Sequence, residues 1–261
     1  MNIGVIGGGN MGTAILSRVC RNHNVVLCEA DRRRASRLRR KYGITLGNVT
    51  SAARNADVLL LAVKPQDMGA VLTGLSGCLG NRTIVLSIAA GLTTRYFEKR
   101  LGENPRIIRA MPNMPAQIGE GMTALAAGRY ATRRDIVKAK TILSAIGEVV
   151  EVPEKQMDAV TALSGSGPAY VFLIAECLTG AGRAMGLDED LSRRLAEQTL
   201  KGSACQLAEL KDDAGTLRRK VTSRGGTTQA ALKVFAAEGI GGLFKKALKA
   251  ARRRSRELAK T

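Results

Sequence analysis

Six residues near the start of the chain, Gly7-Gly8-Gly9-Asn10-Met11-Gly12, have the types and spacing to hold a phosphate. They fit G-x-G-x-x-G, with a strand-like apolar run before them and an apolar-periodic stretch after. Gly7 allows a tight turn, Gly9 lets backbone approach a pyrophosphate, and Gly12 lets helix and strand pack closely. Free N–H groups at the helix start then hold the anion, and Gly8, Asn10 and Met11 complete the expected cofactor-binding segment. A glycine-rich turn without a ligand is the alternative reading of the hexapeptide taken alone.

Downstream, Glu29-Ala30-Asp31-Arg32-Arg33-Arg34 ends a second apolar run. Glu29 stands about 20 residues after Gly9, where an acid binds a ribose 2′-OH and favours NAD. Arg32 and Arg33 are placed instead to clasp the 2′-phosphate of NADP. The balance leans to NADP, with NADPH preferred and NADH possible. Ala62-Val63-Lys64-Pro65-Gln66 follows the apolar run Val58–Leu61 and so sits at a carboxyl end of a sheet, where ligands bind. Val63, Lys64 and Pro65 are therefore cofactor candidates. Lys64 can donate to a ribose hydroxyl or carboxamide, while Pro65 turns the chain away; an ordinary strand-ending turn is the alternative.

Three further segments are built to interrupt regular structure at a ligand edge. In Met111-Pro112-Asn113-Met114-Pro115 two prolines remove backbone donors, which predicts a rigid turn after a strand. Within Ser164–Pro168 each mid-helix glycine costs about 1 kcal/mol and a proline about 3 kcal/mol. One helix is therefore expected to end near Leu163 and another to start with Pro168 in its first turn, capped by Ser166 or Gly167. Close helix packing through small residues is the alternative. Ser223-Arg224-Gly225-Gly226-Thr227-Thr228 opens another helix, and its N–H groups and hydroxyls suit a carboxylate; a plain capping turn has the same pattern.

Two kinds of element must position these residues. Up to about residue 152, β-branched runs (Ile3–Gly7, Val25–Glu29, Val58–Val63, Thr83–Ser87, Arg106–Ala110, Gly121–Ala126 and Glu148–Val152) alternate with helical stretches such as Met11–Arg21 and Arg32–Tyr42. The early runs are almost wholly apolar, as strands buried on both faces are. The alternation predicts an α/β fold, a Rossmann-like doubly wound sheet over residues 1–152. After Pro153 only helical spacing remains, in Gln156–Leu163, Ala169–Met185, Glu189–Leu210 and Gln229–Ala236, with Gly186 as a stop and Asp188 as an N-cap. Residues 153–261 are thus expected to form an all-helical domain. So thin a helical domain needs a second subunit to bury its faces. The basic stretch Lys245–Lys260 reads as a terminal helix with a solvated face.

Composition narrows the function. The 261 residues carry a net charge of +19, but aromatics are only 3%, too few for base-stacking platforms, and no nucleic-acid motif is present. Nucleic acid is therefore an unlikely partner. With one histidine, His23, and five scattered cysteines without C-x-x-C pairing, a metal site is not expected. Reduced, structural thiols, together with a chain that starts directly on a strand-like run, predict a cytoplasmic protein. No apolar run reaches the roughly 18 residues of a membrane span, since charges or glycines interrupt each candidate.

Taken together, Gly7–Gly12, Ala62–Gln66, Ser87-Ile88-Ala89-Ala90-Gly91, Arg109–Ala116, Ala162-Leu163-Ser164-Gly165-Ser166-Gly167-Pro168-Ala169-Tyr170 and Val221–Thr228 closely resemble the pyrroline-5-carboxylate reductases. The resemblance covers nearly the whole chain. It departs at Arg224, where the family usually has Pro, at Met114 (Thr) and at Ala214 (often Pro). Loss of that proline loosens the Ser223–Thr228 loop, and Arg224 adds a cation beside it.

The resemblance implies a homo-oligomeric oxidoreductase of proline biosynthesis, a dimer of interlocked helical domains, acting on a cyclic imine acid. It places Ala89, Met111, Pro112 and Asn113 against the cofactor. Ser223, Gly226, Thr227 and Thr228 are implied as substrate ligands, with Ser166 and Gly167 beside them. Thr228 is the catalytic candidate, hydrogen-bonding the ring nitrogen or fixing the ring. Imine reduction asks little of side chains, because a protonated C=N is already electrophilic and positioning supplies much of the catalysis. β-Hydroxyacid dehydrogenases share such a domain pair but carry a lysine in G-x-x-x-K; four residues after Gly167 stands Val171. A non-enzymatic basic nucleotide- or nucleic-acid-binding protein is the third reading.

Overall fold

The computed structural model describes residues 1–102 and 104–258. Its first half follows the expected alternation: β1 (Asn2–Ile6), α1 (Asn10–Val19), β2 (Asn24–Cys28), α2 (Arg32–Tyr42), β3 (Thr45–Leu46), α3 (Val49–Arg54), β4 (Val58–Leu61), α4 (Met68–Leu75), β5 (Ile84–Ser87), α5 (Thr94–Leu101) and β6 (Arg106–Met111). Then come β7 (Gly121–Ala127), α6 (Arg133–Leu143) and β8 (Gly147–Glu151). The sheet order is β3-β2-β1-β4-β5-β6-β7-β8. Its first six positions are the doubly wound order, and the reversal lies between β1 and β4.

The buried strands read as near-continuous apolar runs because each face of the sheet is covered. Val5, Val58, Leu60, Ile84 and Leu86 face one core with Ile15 and Leu16 of α1. Ile6, Leu59, Leu61 and Val85 face the other with Met68, Leu72 and Phe97. Side-chain caps fix the helix starts: Asp31 accepts from the N–H groups of Arg33 and Arg34, and Asn48–Ser51 and Thr132–Asp135 form capping boxes.

Two features differ from the sequence reading. β7 runs antiparallel to β6, so the sheet is mixed. The link from Met111 to Gly121 holds only a short 3₁₀ turn, Met114–Ile118, and a parallel return needs a crossover of about a dozen residues or more. β8 returns parallel to β7 through α6. β3, two residues long, carries too little pattern to be seen in the sequence.

The second half contains α7 (Met157–Val160), α8 (Gly167–Ala184), α9 (Glu189–Glu209), α10 (Ala214–Lys220), α11 (Thr227–Ala237) and α12 (Ile240–Leu258). No strand occurs there among the described residues. Gly186 takes φ +93°, and Asp188 caps α9 by accepting from Leu191 N–H at 2.9 Å. α10 had no expected counterpart. The basic terminal helix is α12; Ala259 and Lys260, included in its expected range, lie outside the described residues.

The expected break at Ser164–Pro168 is present. Thr161–Gly165 is a π-turn, and Ser166 N–H donates to Thr161 O at 2.8 Å before α8 starts. The first helix thus ends in a widened turn past Leu163, and α8 opens at Gly167 with Pro168 in its first turn, as expected. Within Glu154–Ala184 an 18-residue window has a mean hydropathy of 1.2, which by length and composition alone is enough to cross a membrane. Glycines and Glu176 interrupt it, as the sequence reading has it.

The chain forms two compact units, one of Met1–Ser166 with residues 250–258, the other of Gly167–Lys249. The expected boundary at 152/153 lies before the π-turn; by contacts, residues 153–166 go with the sheet. In the second unit α8 and α9 pack together, with Gly182 against Ser192, yet Phe172, Leu173, Phe235 and Leu243 stay exposed.

Candidate functional site

The loop between β1 and α1 is shaped by three glycines for three reasons. Gly7 has φ +101°, and a Cβ there would stand 2.7 Å from Ala62 O. Gly12 lies against the Gly7 carbonyl and 3.1 Å from Ala62 Cβ, measured from an added Cβ. At Gly9 an added Cβ meets nothing within 4 Å, so this side of the loop is open. Gly9 is the N-cap of α1 with no side-chain cap, and no acid lies in the first turn. Uncapped donors at the start of a helix hold an anion.

Gly8, Gly9 and Asn10 open onto a cavity of about 520 Å³ whose walls include Thr13 and Ser17 of α1 and Arg34, Arg37 and Lys41 of α2. Glu29 lies beside it but is turned inward. Its Oε2 accepts from Gly8 N–H at 2.7 Å, and its Oε1 accepts from Asp31 N–H at 2.8 Å. Arg32 and Arg33 are exposed and do not line this cavity, whereas Arg34 does. Neither the cavity position of Arg34 nor that of Arg37 and Lys41 was read from sequence. Their i, i+3, i+7 spacing on α2 was the available signal.

At the neighbouring strand end, Ala62 N–H continues the β1 ladder to Ile6 O at 2.8 Å, which brings Ala62 and Val63 against Gly7. Lys64 is exposed and Pro65 starts a 3₁₀ turn. Met11, Val63 and Ala89 pack their side chains into the two cores, leaving backbone as what they can offer a ligand. The Met111–Pro115 turn follows β6, as expected. Pro112 is buried, and the Asn113 amide is used at both ends: Nδ2 donates to Ser164 O at 3.3 Å, and Oδ1 accepts from Met122 N–H at 2.8 Å. Asn113 therefore ties the turn after β6 to β7 and to the π-turn.

Beneath this turn Arg109 of β6, with a side chain only 4% exposed, pairs with Glu154 at 3.4 Å. Glu154 also accepts from the N–H and hydroxyl of Thr94, each at 2.7 Å. Among the described residues no group of three His, Cys, Asp or Glu comes together. Burial pushes the Cys20 and Cys28 thiols up, away from the reactive thiolate.

Ser166 closes the π-turn in the first unit, and Gly167 opens α8 in the second. Ser223, Gly226, Thr227 and Thr228 lie in the second unit at the start of α11. Gly225 takes φ +74° and donates to Gln229 Oε1 at 2.8 Å, while Gly226 is an N-cap without a side-chain cap. The start of α11 thus presents backbone donors beside three hydroxyls.

Residues 154–258 match the family model for pyrroline-5-carboxylate reductase dimerisation, and residues 2–91 match that for NADP oxidoreductase, coenzyme F420-dependent. The pyrroline-5-carboxylate reductase of Synechocystis sp. is 42% identical over 100% of this chain and 99% of its own length. The chain belongs to the pyrroline-5-carboxylate reductase family. A solved pyrroline-5-carboxylate reductase from Coxiella burnetii superimposes with a TM-score of 0.94 at 39% identity, covering 100% of this chain and 99% of that one. A second, from Plasmodium falciparum with NADP bound, gives 0.87 at 28% identity over 99% and 98%. As in the family, this chain joins a nucleotide-binding sheet to dimerisation helices.

Proposed function

We propose that this chain is an NADPH-dependent pyrroline-5-carboxylate reductase, converting the cyclic imine acid to L-proline as the last step of proline biosynthesis. The observation that carries the reading is the open, uncapped α1 N-terminus at Gly9, in a chain related to the family from end to end. The loop fits a dinucleotide: positive φ at Gly7, free space at Gly9, and cations on the adjoining cavity wall. When bound, the cofactor supplies the hydride from C4 of its dihydronicotinamide.

The proposed cofactor set is Gly7 to Met11, Val63 to Pro65, Ala89 and Met111 to Asn113, with Glu29 acting through the Gly8 N–H and Arg32 and Arg33 beside the cavity rather than on its wall. Met11, Val63 and Ala89 act through backbone, and Asn113 by fixing the turn. Ser223, Gly226, Thr227 and Thr228 hold the substrate carboxylate with Ser166 and Gly167, and the Thr228 hydroxyl orients the ring nitrogen. By role the chain divides into residues 1–152 for the nucleotide and 153–261 for substrate and self-association. A second copy covers the apolar faces of α8 and α11, and the reaction takes place in the cytoplasm.

The test is the oxidation of NADPH and of NADH with pyrroline-5-carboxylate, followed to proline. Rapid proline formation is expected, and no oxidation with either cofactor would sink the reading. Thr228→Ala is expected to lower turnover by about ten- to a thousandfold, the scale of lost positioning contacts. Unchanged kinetics would remove Thr228 from the site.

A further inference from the structure

One carboxylate serves both the phosphate loop and the β2–α2 turn. Glu29 has a side chain only 6% exposed, and its two oxygens are taken by the N–H groups of Gly8 and Asp31. Arg34 Nη1 lies 3.3 Å from Glu29 Oε2, and Arg34 Nη2 lies 3.6 Å from Asp31 Oδ2. An acid that reads a ribose diol must accept from its hydroxyls. With Arg34, three of the about four acceptor positions of the carboxylate are filled, so a diol that needs two of them would have to displace a donor.

Arg34, by contrast, is 39% exposed and stands on the wall of the cavity that begins at Gly8 and Gly9. Arg37 and Lys41 continue the same wall, one and two turns along α2. Neither has an ion-pair partner among the described residues. Spaced i, i+3, i+7, the three cations share one helix face over about 10 Å.

We propose that Arg34, with Arg37 and Lys41 behind it, selects the 2′-phosphate of the cofactor, and that Glu29 is a positioning residue rather than a ribose ligand. The inference rests on the reading of this chain as an NADPH-dependent reductase. A phosphate monoester brings nearly two negative charges and three acceptors, so it draws the guanidinium away from a carboxylate already shared among three donors. Glu29 keeps its bonds to Gly8 and Asp31 when Arg34 leaves, and the loop holds its shape. A cofactor with a free 2′-hydroxyl brings no charge to the cations and finds on Glu29 too few open acceptor positions for both ribose hydroxyls.

The experiment is calorimetric titration of the full chain with adenosine 2′,5′-bisphosphate and with adenosine 5′-phosphate. Arg34→Ala is expected to weaken the bisphosphate about ten- to a hundredfold and the 5′-phosphate much less, the scale for hydrogen bonds to charged groups. Arg37→Ala and Lys41→Ala have the same sign and smaller size. Glu29→Gln weakens both ligands by a similar factor, because it loosens Gly8.

In kinetics, Arg34→Ala lowers the NADPH-to-NADH ratio of kcat/KM through KM. Arg34→Lys, which keeps the charge without the fork, falls between and serves if the alanine variant fails to fold. Equal weakening of both ligands by Arg34→Ala, or a Glu29→Gln variant that loses NADH alone, overturns the proposal. If the parent oxidises neither cofactor, the proposed reaction fails, while the titrations still decide the phosphate selection.

Discussion

At the scale of single residues, the phosphate loop shows how little tolerance its glycines have. A side chain at Gly12 would collide with the Gly7 carbonyl and crowd Ala62, so α1 could not approach β1 as it does. Gly12→Val is expected to weaken NADPH binding at least about a hundredfold and to cost about 1–3 kcal/mol of stability, read by nucleotide fluorescence and thermal melting. Binding within threefold of the parent would contradict the role given to the loop. A second residue-scale effect concerns protons. The Arg34 backbone N–H holds the Asp31 carboxyl below the usual carboxylate range. A depressed folded-state value means stabilisation that is present above the unfolded value, near 3.9, and lost as pH falls through the folded one. Asp31→Asn keeps a capping side chain and removes the charge. Its melting temperature should lie below the parent at about pH 6 and converge on it towards about pH 3; a constant gap would show that the charge is not what matters.

Among elements, the turn after β6 is secured from two sides. Asn113 spans from Met122 to Ser164, and below it the Arg109–Glu154 pair reaches Thr94 at the start of α5. Glu154→Ala would strand a buried guanidinium together with the Thr94 N–H and hydroxyl. A loss of about 3–5 kcal/mol in urea unfolding is expected, the range for breaking a buried pair from one side. A loss under about 1 kcal/mol would mean that Arg109 finds water or another partner. The π-turn at Thr161–Gly165 belongs to the same scale, since the sequence puts a helix end near Leu163 and the structure makes that end a widened turn before α8.

For the whole molecule, the helical unit leaves Phe172 52% and Leu173 57% exposed, although α8 is one of its longest helices. Apolar faces of that extent are characteristic of association surfaces, and the matching dimerisation model spans α7 to α12. Phe172→Asp should shift the sedimenting species towards monomer and flatten the rise of melting temperature with protein concentration that association gives the parent. A variant that sediments as the parent does would place the interface elsewhere.

By itself, the sequence determined the doubly wound class of the first half, the helical second half, the phosphate loop and the family. Each of these is written locally, as an apolar period, a glycine spacing or a short motif such as Ser164–Pro168. Tertiary structure decided the rest. Glu29 sits where an acid meets a ribose, yet it is turned inward onto Gly8 and Asp31. Arg32 and Arg33 stand at the motif-expected place, yet Arg34 lines the cavity. β7 reverses because the link after β6 is too short to cross over. Hydrogen-bond partners and the facing of a side chain depend on which elements meet, and no residue carries that information alone.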